Sequence, residues 1–538
     1  MNPYLLLGFV VGYFLILLLV AYITSKNSSN ESFFSGNKNS NWMLVAFGMI
    51  GTSLSGVTFV SVPGGVGSGG FNYFQIVIGY FIGYLVIAYV LLPLYYKMNL
   101  TSIYTYLENR FGMSAHKTGS SFFILSRTLG ATARLYLVVN ILQIFIFNEI
   151  GIPFWVTAFV ILLMILLYTF EGGVKTIVYT DTLQTSGMLI GLVVSIICLM
   201  QAMDLSLGAT LTKFSNTLLN PAKPDGPNLF SIFDFDVNNK SFFLKQILGG
   251  AVITIAMTGL DQEMMQKNIS VNKLKDSQKN MMTFSTVLIV VNFLFLLLGG
   301  LLYLYSKQNN IIVCTPDQLF PTIALKSTFG TAMGIIFIIA LISALFPSVD
   351  GAITALTSSY CIDIAAINKK NHLDEKGKKK FRLSVHLTFA VIFFLLVLIF
   401  KWIDDPLIID FILKIAGFTY GPLLGLFAFG ILTKRKVNAY WIATVCIGAV
   451  MLTFYLDFYN DPQWYQDKFK LNGTFIENLK VKSTEMFGGK LIVKDYAISC
   501  TEKIKQLRIV GGYKIGVELL LINGIFTFLG LFGISQKK

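Results

Sequence analysis

Long apolar runs separated by short polar connectors cover almost the whole chain of 538 residues. A helix needs about 20 predominantly apolar residues to cross a bilayer, and the chain contains about thirteen such runs. This pattern predicts an all-α polytopic membrane protein with about thirteen transmembrane helices. The predicted spans are residues 3–25, 42–66, 73–98, 118–147, 152–170, 177–203, 243–265, 281–305, 330–364, 381–403, 407–432, 439–458 and 512–532.

The second run is interrupted in its middle, where residues 51–56 read GTSLSG. Gly, Ser and Thr lower helix propensity and supply oxygen atoms instead of apolar surface. Broken backbone is tolerated at membrane depth only inside protein or beside a cavity. We therefore predict a discontinuous helix whose freed carbonyl oxygens, near Gly51 and Leu54, face a bound cation. The alternative is close packing of these small residues against a neighbouring helix.

The seventh run is interrupted as well, by Gly249-Gly250, Thr254 and Thr258-Gly259. Two interrupted helices five spans apart predict a five-plus-five inverted repeat, with the binding site at the midplane where the repeats meet. The predicted organisation is a single transporter domain over residues 1–538. Its parts are an extra N-terminal helix (3–25), a first repeat (42–203), a second repeat (243–432) and C-terminal helices (439–538) with an outer loop (459–511).

Composition and charge agree with the membrane assignment. The chain is 54% hydrophobic and 13% charged, with a mean hydropathy of +0.68, which excludes an ordinary soluble domain. The net charge of +14 does not indicate a nucleic-acid partner, because the Lys and Arg residues, with Lys267 among them, fall in short connectors between the apolar runs. Nearly all of the Lys and Arg residues in short connectors lie on one side of the predicted membrane. This bias predicts an outer N-terminus and a cytoplasmic C-terminus in a multi-pass protein of the cell membrane.

The cysteines and histidines give no sign of a zinc or redox site, since five Cys form no CxxC motif and the three His are scattered. Cys314 and Cys500 both fall on the predicted outer side. The sequence is compatible with two free thiols and with a disulfide bond between them.

The ninth run carries candidate cation ligands. Ala344 and Ser348 are four residues apart and therefore share a helix face. Pro347 cannot donate to the carbonyl of Ser343, so that turn has unpaired oxygen atoms. Together with the carbonyls of Gly51 and Leu54 they would form an oxygen cage without formal charge, which suits sodium better than calcium. An ordinary proline kink is the alternative.

Two carboxylates are predicted inside the membrane, Asp181 in the sixth run and Asp350 in the ninth. Each costs about 2.5 to 3.5 kcal/mol on insertion scales, which marks it as a functional candidate. If the two approach one another, they would hold a second sodium ion, or one of them would be protonated. The alternative for Asp181 is solvation at the inner end of its helix.

Two arginines, Arg127 and Arg134, lie seven residues apart in the fourth run and share a face. An intramembrane guanidinium either pairs with an acidic side chain or receives a substrate carboxylate as a bidentate fork. We expect structural pairing for Arg127, and both roles are open for Arg134.

Four motifs resemble those of the sodium:solute symporter family, which includes transporters of glucose, proline, pantothenate and sialic acid. They occur in the family's order from the fifth span to the eleventh. They are FEGGVKTIVYTDTLQT at residues 170–185, DQEMMQKN at 261–268, the ninth-span motif ending in Cys361-Ile-Asp363, and YGPLLGL at 420–426.

The resemblance implies the inverted-repeat fold of the leucine-transporter type and sodium-coupled uptake by alternating access. It implies one sodium site formed by Gly51, Leu54, Ala344 and Ser348, with Pro347 where the family usually has Ser. In the sialic acid branch, the positions of a further sodium site correspond to Asp181, Asp350 and Gly351. The positions that bind substrate correspond to Ser53, Ser55, Thr58, Gln75 and Arg134, and Arg134 would receive a carboxylate.

The sequence therefore predicts sodium-coupled symport of a small organic solute, with an acidic sugar as the leading example. The expected partners are the solute, sodium and the lipid bilayer, with no nucleic acid and no obligatory protein partner. A membrane solute sensor of the same fold is the alternative, although it would need an output domain and few residues follow the last span. No HExxH or GxSxG motif occurs, and an enzyme is not expected.

Overall fold

The computed structural model describes most of the chain. The described residues are 3–25, 40–100, 102–169, 173–220, 226–313, 315–326, 330–367, 374–403, 408–469, 474–487, 490–497, 503–510 and 512–536. Cys314 and Cys500 lie outside them, so their pairing stays a prediction.

Helices make up nearly all of the described structure. They are α1 (Pro3–Ser25), α2 (Trp42–Ser53), α3 (Gly56–Gly69), α4 (Tyr73–Val86), α5 (Leu92–Lys97), α6 (Thr105–Phe111), α7 (Met113–Leu142), α8 (Phe154–Thr169), α9 (Gly173–Ala202), α10 (Leu207–Asn216), α11 (Phe243–Thr254), α12 (Gln262–Ile269), α13 (Leu274–Gln308), α14 (Leu319–Lys326), α15 (Gly330–Ser359), α16 (Glu375–Ile403), α17 (Ile408–Thr419), α18 (Gly421–Leu432), α19 (Ile442–Asn460), α20 (Pro462–Phe469), α21 (Thr474–Phe487) and α22 (Leu519–Gly533).

Shorter elements complete the description. Single π-helical turns extend α4, α7, α11 and α15, at Ile87–Leu91, Gln143–Phe147, Ile255–Gly259 and Tyr360–Ile364. One-turn 3₁₀ helices lie at Pro316–Gln318 and Ala439–Trp441. The strands are β1 (Lys436–Val437), β2 (Lys490–Ala497), β3 (Lys503–Val510) and β4 (Ser535–Gln536), and β1 pairs with β4 and β2 with β3, both antiparallel.

Each of the thirteen predicted spans corresponds to helical structure. Among the described residues, eight helices are long and apolar enough to cross a membrane, and three further crossings are bent helix pairs. The two remaining predicted spans correspond to the shorter apolar helices α8 and α22. The all-helical membrane architecture is therefore confirmed, whereas the number of crossings and their orientation stay predictions.

The break in the second span lies at Leu54 and Ser55, between α2 and α3, and bends the helix by 55°. Leu54 has φ −88° and ψ 84°, and Ser55 is extended. The predicted discontinuity is thus confirmed, with Gly51 still in the last turn of α2.

The second broken helix consists of α11 with its π-helical turn, followed by α12 after a bend of 65°. The break falls at Leu260 and Asp261, which is later than the Gly and Thr residues that predicted it. The Asp261 carboxylate accepts hydrogen bonds from the backbone N–H groups of Glu263 and Met264, at 2.9 and 3.3 Å. This N-cap starts α12 in its new direction.

A third bend, of 47°, separates α17 from α18. The sequence predicted one continuous span there, over residues 407–432. The signal for the bend is Tyr420-Gly421-Pro422, because a proline in the first turn begins a helix readily but cannot continue one.

Close helix contacts at glycines hold the predicted first repeat against the predicted second one. A Cβ atom added to Gly79 of α4 would overlap the backbone of α11 at Ile247, and one added to Gly250 would overlap the backbone at Ile76. The helix backbones therefore pack directly against each other, as small residues allow in membranes.

Candidate functional site

A central cavity of about 120 Å³ lies beside the first break. Polar groups line it from α2, α3, α4, α7, α11 and α13, and apolar side chains from α17 close one side. The lining residues are Thr52, Ser53, Leu54, Ser55, Val57, Thr58, Tyr73, Tyr80, Tyr84, Arg127, Arg134, Ile253, Thr254, Met257, Thr258, Met264, Leu288, Asn292, Ile409, Ile412 and Leu413.

The structure brings four of the five predicted substrate-binding residues to this cavity. Ser53, Ser55 and Thr58 flank the break, and Arg134 reaches the cavity from α7. The break directs Ser53 and Ser55 toward the cavity, because the chain leaves the helical path at that point.

Gln75 is the exception, since it does not line the cavity. Its amide nitrogen donates to the carbonyl oxygens of Asn72 and Ser241, both at 3.1 Å, and its amide oxygen accepts from the N–H of Asp234 at 3.4 Å. Gln75 lies in the first turn of α4, and its hydrogen bonds with Asp234 and Ser241 connect this turn to the segment before α11. The prediction that Gln75 binds substrate is not supported by this position.

Several lining residues were not among the predicted binding residues. Tyr73, Tyr80 and Tyr84 lie seven and then four residues apart on α4, which places them on one face. The hydroxyl groups of Tyr73 and Tyr80 are 3.3 Å apart. Their spacing is the signal that would have identified them. Asn292 has a similar signal, because it is an isolated amide in an apolar run.

The break leaves backbone oxygens without partners. Leu54 donates its N–H to the carbonyl of Ile50 at 2.8 Å, and the next backbone bond across the break runs from Phe59 to Ser55 at 3.0 Å. Within the described chain, no backbone N–H donates to the carbonyls of residues 51–54. These oxygens, including those of Gly51 and Leu54, are therefore free to bind a ligand.

Ser348 also has an unpaired oxygen. It is fully buried, and its hydroxyl has no hydrogen-bond partner among the described residues. It lies on α15 one turn after Ala344. The same helix passes next to the break, because Gly56 faces Leu341 and Leu345. A buried hydroxyl without a partner is costly unless a ligand satisfies it.

Ser343 is oriented differently from Ser348. Its hydroxyl donates to the Tyr13 hydroxyl of α1 at 2.8 Å, so it is already engaged. Pro347 lies inside α15, which continues through it. Of the two serine hydroxyls on this helix segment, only that of Ser348 therefore has no partner among the described residues.

The two arginines of α7 have different surroundings. Arg127 is buried and forms an ion pair with Glu263, and its other terminal nitrogen lies 3.8 Å from the Asp261 carboxylate. No carboxylate of the described residues forms an ion pair with Arg134. The prediction of structural pairing for Arg127 agrees with the structure, and Arg134 presents an uncompensated positive charge to the cavity.

Asp181 and Asp350 are both completely buried, but they have different partners. The Asp181 carboxylate lies 2.7 Å from the Lys267 ammonium. The Asp350 carboxylate accepts from the Tyr168 hydroxyl at 2.8 Å. Each carboxylate therefore has a partner of its own, and the sodium site between the two stays a prediction. The sequence placed Lys267 in an inner connector, whereas the bend before α12 carries it into the protein interior.

A second cavity, of about 360 Å³, lies on the side of the predicted outer loops. Lys240, Ser241 and Trp464 line it. Tyr73, Ile409 and Leu413 line both cavities, so they separate the central cavity from the outer one.

Comparison with known proteins agrees with this architecture. The model of the sodium:solute symporter family matches residues 33–448. The sodium/sialic acid symporter SiaT of Proteus mirabilis is 23% identical over 430 residues, which cover 79% of this chain and 84% of the relative. The sodium-coupled monocarboxylate transporter 2 of Bos taurus is 25% identical over 417 residues, covering 76% of this chain and 64% of the relative.

Solved structures show the same fold. A substrate-bound, outward-open sodium-coupled sialic acid symporter superposes with a TM-score of 0.74 at 18% identity, over 98% of this chain and 96% of that one. The nucleobase-cation symporter Mhp1 in a closed conformation matches with a TM-score of 0.52 at 12% identity, over 80% of this chain and 90% of that one.

Proposed function

This chain belongs to the sodium:solute symporter family, and on that premise we propose that it takes up a carboxylate-bearing solute whose acid group binds Arg134. The coarser function, sodium-coupled symport of a small organic solute, follows from the family and its transporters. The observation that carries the proposal is the Arg134 guanidinium in the central cavity, unpaired with any described carboxylate.

Arg134 suits a carboxylate for electrostatic and geometric reasons. A guanidinium binds a carboxylate through two parallel N–H···O bonds, and such charge-assisted pairs are about twice as strong as neutral ones. Ser53, Ser55 and Thr58 supply hydroxyl groups for the rest of the solute. Both relatives described above are named for acids, sialic acid in one case and monocarboxylates in the other.

The size of the cavity favours a compact acid. Its volume of about 120 Å³ lies below the roughly 300 to 1,000 Å³ that is typical of sites for drug-sized ligands. Ile409, Ile412 and Leu413 form an apolar wall, which suits a short carbon chain. A small monocarboxylate is therefore a second candidate beside an acidic sugar.

Sodium would bind between the first break and α15. Its proposed ligands are the carbonyl oxygens of Gly51, Leu54 and Ala344 and the hydroxyl of Ser348. Two observations support this set: the carbonyls of the break have no backbone donor, and the buried Ser348 hydroxyl has no described partner. Oxygen ligands without formal charge suit a weakly held monovalent cation.

Coupling follows from the position of this site. Sodium bound there would tie α2 and α3 to α15 and thereby fix the hydroxyl groups that face the solute. The ion shifts the conformational equilibrium only by its differential affinity for the two states. One charge moving down about 100 mV supplies roughly 2.3 kcal/mol, which corresponds to more than tenfold accumulation at about 1.4 kcal/mol per decade.

Uptake by proteoliposomes tests the proposal. The purified chain would be given acidic sugars, short monocarboxylates, amino acids, neutral sugars and vitamins, with sodium or potassium outside. We expect sodium-dependent uptake of a carboxylate and none in potassium. Sodium-dependent uptake of neutral solutes only would contradict the role of Arg134 while leaving the symport function intact.

A further inference from the structure

A buried lysine lies where three helices of the transport core meet. Lys267 of α12 has only 4% of its side chain exposed. Its ammonium donates to the Thr52 hydroxyl at 2.6 Å and to the Asp181 carboxylate at 2.7 Å. A Glu263 oxygen lies 3.5 Å away. Its neighbours therefore come from α2, directly before the first break, from α9 and from α12 itself.

This cluster links the two predicted repeats, because Thr52 and Asp181 belong to the first and Lys267 to the second. Gly48 of α2 faces the Asp181 side chain, and a Cβ atom there would be 3.3 Å from the Cβ of Asp181. The close approach of α2 and α9 leaves the Asp181 carboxylate facing Thr52 and Lys267.

The ammonium occupies two oxygen ligands that a second cation beside Asp181 would need, the Oδ2 atom of Asp181 and the Thr52 hydroxyl. A sodium ion beside Asp181 would bind the same carboxylate and the same Thr52 hydroxyl, and it carries the same charge as the ammonium. An ammonium and a sodium ion cannot share these oxygens without strong repulsion in a buried site. Lys267 thus compensates the charge of Asp181 through the Oδ2 atom, while the Oδ1 atom has no hydrogen-bond partner among the described residues.

The surroundings of Gly351 also disfavour a second sodium ion. This position has no side-chain oxygen, and a Cβ atom there would overlap the Glu263 carboxylate. The Glu263 side chain therefore fills the space beside Gly351 while it contacts Lys267 and Arg127. Asp350 is held separately by Tyr168.

We propose that the Lys267 ammonium is a tethered cation that replaces a second sodium ion at Asp181, so that the chain binds a single sodium ion, at the Ser348 site. The inference rests on the proposed sodium symport. Lys267 would then set the number of sodium ions bound, because its ammonium compensates the negative charge of Asp181 in every state in which the two side chains remain paired.

Counting bound sodium on the purified full-length chain tests this directly. Equilibrium binding of radioactive sodium should saturate at about one ion per wild-type chain. Lys267→Ala removes the ammonium and leaves Asp181 and Thr52 in place, so we expect about two ions. Lys267→Arg keeps the charge and should stay at one. The double variant Lys267→Ala with Asp181→Asn should return to one.

Two ions on the wild-type chain would overturn the inference, and so would one ion on a folded Lys267→Ala variant. If Lys267→Ala does not fold, Asp181→Asn alone decides: an unchanged count of one ion supports the tethered cation, and loss of an ion contradicts it. Failure of the proposed function is a separate result. It would appear as Ser348→Ala binding as much sodium as the wild type with the same affinity.

Discussion

Arg134 lies two helical turns after Arg127 on the same face of α7, yet among the described carboxylates ion pairs form only with Arg127. Glu263 and Asp261 both lie beside Arg127, because the bend before α12 turns that helix toward α7. Two residues of the same type on one helix face therefore have different surroundings: Arg127 pairs with the second broken helix, and Arg134 lines the central cavity, where we propose that it binds the solute.

Replacing these arginines should separate the two roles. Arg134→Gln should abolish uptake of a carboxylate solute, because the acid group loses its bidentate partner, and should spare thermal stability. Arg127→Gln breaks the buried ion pair with Glu263, which keeps only its longer contact with Lys267. Removing one partner of a buried pair costs about 3 to 5 kcal/mol, so the unfolding temperature should fall. Uptake assays and thermal unfolding of both variants provide the check. Equal loss of stability in the two variants would give Arg134 a structural role.

Ser348→Ala should raise the sodium concentration for half-maximal uptake by roughly tenfold, which corresponds to about 1.4 kcal/mol. The reason is the loss of one oxygen ligand from a buried ion. Ser358→Ala on the same helix is the matched control, because the Ser358 hydroxyl is already bonded to the Thr354 carbonyl at 2.9 Å. An unchanged sodium dependence in Ser348→Ala would remove this residue from the site.

Gln75→Ala should lower the unfolding temperature and change the solute concentration for half-maximal uptake by less than about twofold. The amide holds the segment of Asp234 and Ser241, and three hydrogen bonds at about 1 kcal/mol each would be lost. Ser55→Ala is the comparison, since it lines the cavity and should weaken solute binding. A Gln75→Ala variant of normal stability but poor affinity would return Gln75 to the binding site.

Gly79→Ala should destabilise the protein by roughly 1 to 3 kcal/mol, because the new methyl group overlaps the α11 backbone. Gly130→Ala is the control. It lies within α7 with nothing within 4 Å of the added Cβ, so its effect should be neutral or slightly stabilising. Thermal unfolding of both variants measures the difference. Equal stability would mean that α4 and α11 do not pack backbone to backbone.

Asp461 should stabilise the predicted outer side at neutral pH. Burial alone would raise its pKa, but the Lys240 and Lys414 ammonium groups outweigh burial and lower the pKa to about 2. Its folded pKa lies below its ordinary value of 3.8, so this stabilisation is present above about pH 4 and is lost as the pH falls toward 2. The difference in unfolding temperature between the wild type and Asp461→Asn should stay constant from pH 8 to 5. A difference that shrinks within that range would contradict the lowered pKa.

Local chemistry determined what the sequence predicted correctly. The length of an apolar run must match the bilayer, so the spans were readable one by one. The break at residues 54 and 55 was readable because Gly, Ser and Thr interrupt an apolar helix over a few neighbouring positions. Ser53, Ser55 and Thr58, which the family resemblance implied, line the cavity because they flank that break, and their binding of the solute stays a prediction.

Only the tertiary structure decided which distant side chains meet. Lys267 was counted with the inner connector because nothing next to it in the sequence shows that α12 turns by 65° and carries its ammonium to Asp181. The family resemblance implied Gln75 as a solute-binding residue, and nothing near it in the sequence shows its partners Asp234 and Ser241, which lie about 160 residues away. A single bend moves every residue after it, so the pairing of buried charges depends on angles between helices that no local pattern records.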